Sequence, residues 1–123
     1  MNDSCVFCKI IEKKEYVFEN ELAVAFYDAM PASKGHMLII PKSHKATYFD
    51  LTKEEMSAMF ELSQVAKKHL DELYHPDGYN VGFNVGVAGG QSVFHAHMHV
   101  IPRYSGDVEN PRGGIRKLAK VKK

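Results

Sequence analysis

The chain has 123 residues, 45% of them hydrophobic and 25% charged, with a formal net charge of +1. This length and composition suit one globular domain with its own core. The balanced charge gives no electrostatic basis for binding nucleic acid, and no apolar run reaches the length of a membrane-spanning helix. The N-terminus does not have the pattern of a signal peptide. We therefore expect a cytoplasmic protein without nucleic-acid or membrane partners.

The spacing of apolar residues predicts an α+β fold in which one long helix covers an antiparallel β-sheet. The long helix is predicted over residues 51–74, because Thr52 and Glu55 form a capping-box pair and apolar residues then recur at helical spacing. The buried face predicted by this spacing consists of Met56, Met59, Phe60, Ser63, Ala66, Leu70 and Leu73.

Shorter elements are predicted on both sides of the long helix. They are a short N-terminal helix over residues 5–14 and strands over 16–20, 22–28, 36–41, 79–85 and 93–102. The last two strands are joined by the loop "GVAGGQS", whose three glycines let the backbone approach a ligand closely.

Three histidines stand two residues apart in the last predicted strand. Because side chains alternate between the faces of a strand, His95, His97 and His99 are expected on one face. The opposite, core-facing set is Phe94, Ala96, Met98 and Val100. Each buried imidazole needs a hydrogen-bond partner, so three in register indicate a functional site. Two interpretations stay open, metal ligation and attack of a neutral imidazole on phosphorus.

Hydrogen-bond donors lie just before the histidines. The backbone of the glycine-rich loop, Gln91 and Ser92 suit the charge that develops on phosphate oxygens in a transition state. Asn84, on the preceding strand, adds another donor. The chain has no P-loop motif, so any phosphate would be bound in a different way.

Two cysteines, Cys5 and Cys8, form a C-x-x-C pair near the N-terminus. In a reducing compartment this pair favours metal binding or redox chemistry over a structural disulfide. The βαβ context of a thioredoxin-like redox site does not follow, which leaves metal binding or two unrelated thiols.

The run "GGQSVFHAHMHVIPR" resembles the signature of the histidine-triad (HIT) nucleotide-binding family. The resemblance extends to "CVFCKII", to "FYDAMPASKGHMLIIPKSH", which is similar to the nucleotide-binding stretch of the Hint-type branch, and to "IPRY". It covers residues 5–104. We therefore expect a HIT domain over residues 1–104 and a basic C-terminal tail over 105–123.

The resemblance implies an antiparallel α+β fold, usually a homodimer, that binds a purine nucleotide of the AMP or GMP type. It implies nucleotidyl transfer or hydrolysis at the α-phosphate through a covalent nucleotidyl-histidine. The implied catalytic residues are His97 as the nucleophile, His99 and His36 as the residues that orient it, and Ser92. The implied nucleotide contacts are Asp28 to the ribose, Asn84, Gln91 and Ser92 to the phosphate or leaving group, and Phe7, Ile10 and Leu22 around the base.

Some relatives bind zinc through a C-x-x-C pair, a later histidine and the first histidine of the triad. The corresponding residues here are Cys5, Cys8, His44 and His95. Two thiolates and two imidazoles suit a closed tetrahedral site, so such a zinc ion would be structural. His95 would then belong to the metal, and His97 and His99 to catalysis.

The first interpretation is a HIT hydrolase similar to purine nucleoside phosphoramidases. The alternatives are a dinucleoside polyphosphate hydrolase, and a nucleotide-binding regulatory protein with weak activity. A third class is a metal-binding module that places all three histidines on one ion.

Overall fold

The structure, a computed structural model, describes residues 4–117. Its core is an antiparallel sheet of five strands in the order β1-β2-β3-β5-β4. The strands are β1 (Phe18–Glu19), β2 (Ala23–Tyr27), β3 (Met37–Pro41), β4 (Gly78–Gly82) and β5 (Met98–Arg103), and the helices are α1 (Val6–Glu12) and α2 (Lys53–Tyr74). The predicted α+β fold class is confirmed. Residues 118–123 of the predicted tail lie outside the described residues.

The two faces of the sheet bury separate apolar clusters. Ala23, Ala25, Met37 and Ile39 pack with helix α2 on one face. On the other face, the alternate residues of β2 and β3 pack with the short helix α1; they are Val24, Phe26, Leu38 and Ile40. Both central strands are therefore apolar at successive positions, as expected for strands covered on both sides.

Helix α2 begins and ends as predicted. The Thr52 hydroxyl accepts from the Glu55 backbone N–H at 3.0 Å, and the Glu55 carboxylate accepts from the Thr52 N–H at 2.9 Å. The helix ends at Tyr74. The next residue, His75, caps the helix with a left-handed φ of 50° and is followed by Pro76. None of the described helices is long and apolar enough to span a membrane.

The predicted core face of α2 is wrong in part. Met59, Ala66 and Leu70 are buried as expected, but Phe60 and Leu73 are 59% and 55% exposed. Ala58 and Leu62 are buried in addition. Ala58 and Ala66 of the helix pack in one cluster with Ala23 and Ala25 of β2. The buried face of α2 is therefore centred on its alanines, and the bulky Phe60 lies outside it.

The last predicted strand begins later than expected. Residues 93–95 form a bend, residues 96–97 have no regular structure, and regular pairing starts at Met98. Phe94, expected to face the core, is 42% exposed, whereas His95, Ala96 and His97 are all buried. The predicted alternation fails here because the Ala96 N–H donates to the Lys45 carbonyl at 2.7 Å, in a loop rather than in a neighbouring strand.

A buried carboxylate holds that loop against α2. Glu55 accepts hydrogen bonds from the Ser43 hydroxyl at 2.6 Å and the Lys45 ammonium at 2.8 Å, besides the cap at Thr52. Burial raises the pKa of Glu55, but these three donors outweigh it and lower the pKa from 4.5 to about 2. Glu55 therefore joins the start of α2 to the loop after β3, whose Lys45 carbonyl accepts from Ala96 in the histidine segment.

We predict that Glu55→Gln lowers the unfolding free energy by about 2–3 kcal/mol at pH 7, since the amide loses charge-assisted hydrogen bonds. The folded-state pKa lies below the unfolded value, so this stabilisation is complete above pH 4.5 and is lost as the pH falls towards 2. Urea unfolding at pH 7, 5, 4 and 3 measures both effects, with exposed Glu54→Gln as the matched control. A pH dependence in Glu55→Gln as steep as in the wild type would contradict this assignment.

Candidate active site and metal centre

Two of the predicted site histidines are joined directly across the sheet. His36 lies just before β3 and His99 lies in β5, and the His36 Nε2 and His99 Nδ1 atoms are 3.0 Å apart. The backbone N–H of Ala32 donates to His36 Nδ1 at 2.9 Å. A neutral His36 therefore carries its proton on Nε2 and donates it to His99 Nδ1, so His99 carries its own proton on Nε2.

This arrangement leaves one buried donor free. Among the described residues, His99 Nε2 is the buried side-chain nitrogen or oxygen without a hydrogen-bond partner. The His99 ring lies 5.0 Å from the ring of His97, centroid to centroid. An unpaired buried N–H costs free energy, so its place beside a second imidazole points to a ligand acceptor there.

Burial keeps the rings of His36 and His99 neutral. The pKa of His99 is lowered to about 4, mainly by burial and also by the neighbouring His97 and His36. Burial also lowers the pKa of His36, against a smaller opposing effect of the Asp28 carboxylate. The contact of 3.6 Å between Asp28 Oδ2 and His36 Nε2 is therefore not an ion pair at neutral pH.

His97 is held by the backbone of His95. Its Nδ1 lies 2.9 Å from the His95 carbonyl, which only accepts, so Nδ1 carries the proton and Nε2 keeps its lone pair. The ring is 6% exposed and meets Phe7 edge-on, with centroids 5.1 Å apart. His97 thus presents an oriented Nε2 nitrogen.

The predicted base and ribose contacts divide into two groups. Asp28 lies beside His36, with Oδ1 accepting from the Met30 N–H at 2.9 Å. Phe7 and Ile10 belong to the α1 face of the sheet, near His97. Leu22 instead packs with the cluster under α2, so the structure does not bring it together with the other two. The reason is that Leu22 precedes β2 and is not yet in its alternation.

The predicted phosphate contacts also divide. Asn84 and Ser92 are exposed. Gln91 is buried, donates both amide hydrogens to the carbonyls of Ala46 and Val93, and accepts from the Gly86 N–H. The hydrogen-bonding groups of the Gln91 side chain are engaged within the protein. These bonds suit a role in supporting the loop better than a direct contact with phosphate.

Four predicted metal ligands converge. The ligand atoms of Cys5, Cys8, His44 and His95 all lie within 4.8 Å of one another. His95 Nδ1 is 3.5 Å from each sulfur, and His44 Nδ1 is 3.3 Å from the Cys8 sulfur. Adjacent sulfur and nitrogen ligands of tetrahedral zinc are about 3.5 Å apart. His95 Nε2 donates to the Pro41 carbonyl at 2.9 Å, which leaves Nδ1 for a metal.

A single ion on all three triad histidines does not fit this geometry. The metal-ligand groups among the described residues place His95 with Cys5, Cys8 and His44, and His99 with Asp28 and His36, and include His97 in neither. A second group of metal-ligand side chains, Asp28, His36 and His99, also lies together. A metal on His36 Nε2 would move the ring proton to Nδ1, which faces the Ala32 N–H. The backbone therefore favours a hydrogen-bonded relay over a metal site there.

Sequence reasoning missed the backbone groups that hold these rings. Three of these groups fix ring tautomers: the N–H of Ala32 for His36, the carbonyl of Pro41 for His95, and the carbonyl of His95 for His97. The fourth, the carbonyl of Lys45, holds the histidine segment. Backbone groups occur at every position, so the residue types alone carry no signal for them.

The fold and the paired histidine and cysteine clusters define the class of histidine-triad proteins. The HIT domain family profile matches residues 11–106, and the chain belongs to this family of nucleotide-binding hydrolases. An uncharacterised HIT-like protein of Mycoplasma pneumoniae is 42% identical over 84% of the chain and 74% of its own length. Adenosine 5′-monophosphoramidase hnt1 of Schizosaccharomyces pombe is 38% identical over 81% of the chain and 74% of its own length.

Solved structures show the same fold. A HIT family protein from Bacillus anthracis superposes with a TM-score of 0.79 at 37% identity, covering 100% of this chain and 84% of that chain. A Zn-bound histidine triad family protein from Mycobacterium smegmatis gives a TM-score of 0.77 at 37% identity, covering 85% of this chain and 78% of that chain.

The backbone conformation of the loop before the triad requires its glycines. Gly86 and Gly90 have positive φ angles of 76° and 93°. A Cβ at Gly89 would lie 2.3 Å from the Val85 carbonyl oxygen, which is a severe clash with backbone. The glycines thus let the loop fold on itself beside Asn84 and Ser92, as well as leaving room for a ligand.

We predict that Gly89→Ala weakens AMP binding about tenfold, since the displaced loop loses about one charge-assisted hydrogen bond to phosphate. Isothermal titration calorimetry measures the affinity. The matched control is Gly78→Ala, whose added Cβ meets nothing within 4 Å. Equal AMP affinity in Gly89→Ala and the wild type would show that the loop does not position the phosphate.

Proposed function

We propose that this protein hydrolyses purine nucleoside phosphoramidates, with His97 as the nucleophile toward the α-phosphorus. The observation that carries the proposal is the tautomer of His97, which leaves the Nε2 lone pair available on a ring 5.0 Å, centroid to centroid, from the ring of His99 with its unpaired Nε2–H. A nucleophile and an unpaired donor side by side suit attack on phosphorus and stabilisation of its oxygens. The activity in the name of the fission-yeast relative supports the same reaction class.

The reaction proceeds in two displacements. The His97 Nε2 lone pair forms a bond to phosphorus, and the P–N bond to the amine breaks with its electron pair moving to the amine nitrogen, which takes a proton from water. The resulting imidazolium keeps its Nδ1–H on the His95 carbonyl, which stabilises the charge. Water then attacks phosphorus and loses a proton to solvent. The bond between phosphorus and His97 Nε2 breaks, and its electron pair returns to Nε2.

The remaining residues bind and orient the substrate. The His99 Nε2–H donates to a non-bridging phosphate oxygen, and His36 with Ala32 keeps that proton on Nε2. Asp28 Oδ2 accepts from ribose hydroxyls, because a carboxylate is an acceptor only. Ser92 and Asn84 donate to the phosphate or leaving group, and Phe7 and Ile10 flank the base.

The cysteine and histidine cluster is proposed to hold a structural zinc ion. When bound, zinc would join α1, the loop after β3 and the histidine segment through four protein ligands, with no open position for water. The Zn-bound structural relative supports this proposal. Thiol ligands also suit a reducing compartment, in line with a cytoplasmic location.

A homodimer is proposed on the basis of two surfaces. Strand β4 is an edge of the sheet and Val81 within it is 47% exposed. Phe60 and Leu73 lie exposed on α2. An open strand edge and apolar helix residues are features that a second copy of the chain would cover.

We predict that Cys5→Ala/Cys8→Ala loses bound zinc and about 4 kcal/mol of stability when free zinc exceeds its dissociation constant a thousandfold. Turnover should persist below the lowered melting temperature, because His97 is oriented by the His95 carbonyl and His99 by His36. Native mass spectrometry, thermal unfolding and AMP release measure the three properties, with exposed Lys9→Ala as the control. A folded, zinc-free variant without turnover would refute the separation of metal and catalysis.

The decisive test is His97→Gly. We predict that it binds AMP but releases AMP from adenosine 5′-phosphoramidate at least about 10⁴-fold more slowly, because the nucleophile is absent. Added imidazole should restore part of the rate by replacing the missing ring. His75→Gly is the matched control, since glycine suits the left-handed helix end. Wild-type turnover by His97→Gly would overturn the proposed mechanism.

A further inference from the structure

The peptide unit between His95 and Ala96 is held at both of its ends. Its carbonyl oxygen lies 2.9 Å from His97 Nδ1, and its N–H donates to the Lys45 carbonyl at 2.7 Å. A peptide unit is rigid and planar, so a contact that fixes its N–H also fixes the direction of its carbonyl. The orientation of the His97 ring therefore depends on the position of the Lys45 backbone.

This support comes from a loop and not from the sheet. Residues 93–95 form a bend and residues 96–97 have no regular structure, and pairing with β3 starts at Met98. The same loop also holds the start of the histidine segment, because the Ala46 carbonyl accepts from the Gln91 side chain at 2.7 Å. The position of the segment therefore depends on how firmly the loop after β3 is held.

A buried carboxylate fixes that loop on helix α2. Glu55 is 6% exposed and accepts from the Lys45 ammonium at 2.8 Å and from the Ser43 hydroxyl at 2.6 Å. Its third partner is the N–H of Thr52 at the start of the helix, at 2.9 Å. Lys45 thus binds Glu55 with its side chain and Ala96 with its carbonyl, so one residue links α2 to the histidine segment.

A second lysine of the loop makes a different kind of contact. The ammonium of Lys42 lies 3.1 Å from Glu19, and these two side chains are 35% and 49% exposed. The side chains of Lys45 and Glu55 are 30% and 8% exposed. An ion pair in water contributes little to stability, whereas a buried carboxylate depends on its donors. Lys42 is therefore a matched control for Lys45.

We propose that Lys45 and Glu55 are positioning residues for the nucleophile. The inference rests on the proposed hydrolysis at His97. The Lys45 carbonyl keeps the His95 carbonyl directed at His97 Nδ1, so the proton stays on Nδ1 and the lone pair on Nε2. Successive hydrogen bonds also polarise one another, so the bond to Lys45 makes the His95 carbonyl a stronger acceptor. A stronger acceptor stabilises the positive charge that the His97 ring acquires when it bonds to phosphorus.

The first test measures AMP release from adenosine 5′-phosphoramidate by the full-length chain. Lys45→Met should lower kcat at least about tenfold, because a small displacement of the attacking atom slows the reaction strongly. KM should stay nearly unchanged, since the interaction acts on the transition state and not on substrate binding. Lys45→Arg should restore most of kcat, because a guanidinium also donates to Glu55. Lys42→Met should have the wild-type kcat.

A double variant tests whether the two residues act through one contact. Glu55→Gln should also lower kcat, and Glu55→Gln/Lys45→Met should lower it no further than the more impaired single variant. If the two single effects multiply instead, the path from Glu55 through Lys45 is wrong. Should these variants not fold, Ser43→Ala removes only a neutral donor to Glu55, and we expect it to lower kcat about threefold. A wild-type kcat in Ser43→Ala would then overturn the inference.

The second test needs no substrate. Nitrogen NMR chemical shifts of the His97 ring report which nitrogen carries the proton. We expect a proton on Nδ1 in the wild type and in Lys42→Met, and a mixture of both tautomers in Lys45→Met. A merely structural role of Lys45 would lower the melting temperature but leave the tautomer and kcat of the folded variant unchanged. That result would overturn the inference.

The two tests also separate this inference from the proposed function. Absence of turnover in the wild type would overturn the proposed function. The tautomer of His97 in Lys45→Met would then still decide the positioning role. An equal loss of kcat in Lys42→Met and Lys45→Met would overturn the positioning role and leave the proposed reaction intact.

Discussion

The hydrogen bond from His97 Nδ1 to the His95 carbonyl is the interaction on which the site depends. The side chain of His95 faces two sulfurs, its Nε2 is held by the Pro41 carbonyl, and its own carbonyl sets the tautomer of His97. One residue therefore belongs to two centres through different atoms. Any rotation of the His95 peptide would change both the cysteine and histidine cluster and the direction of the His97 lone pair.

The sheet gives these groups their order. Alternation along β2, β3 and β5 places Asp28, His36 and His99 on the face opposite α2, and antiparallel pairing brings them side by side. The opposite face, towards α2, buries mainly apolar surface. This separation explains why the long helix contributes a buried carboxylate to support the site and no side chain to the reacting centre.

The sequence predicts the side chains of the site better than the backbone that positions them. The spacing of His95, His97 and His99 and the C-x-x-C pair identify the family and the cluster, because these residue types at these spacings are typical of catalytic and metal sites. The strand predicted through His95 is wrong, since the bond from Ala96 to Lys45 draws the chain into a loop. That bond joins two backbone groups, which residue identity does not encode.

Leu22 lies apart from Phe7 and Ile10, the other base contacts that the resemblance implied. The alternation of side chains between the two faces of a strand holds only inside its paired region. Leu22 lies one residue before β2 and packs towards α2. Gln91 differs because its type suits a phosphate ligand, while its burial and three internal hydrogen bonds show that the folded loop already uses it.

The electrostatics of the site follow from burial rather than from fixed charge. Burial lowers the pKa of His99 to about 4 and lowers that of His36, so both rings act as neutral dipoles at physiological pH. Neutral donors stabilise a phosphate that carries one charge without holding a more highly charged product tightly. A nucleoside phosphoramidate has one negative charge at its phosphorus, and the released monophosphate has more. In the proposed reaction, neutral histidines would therefore favour both the attack of His97 and the departure of the product.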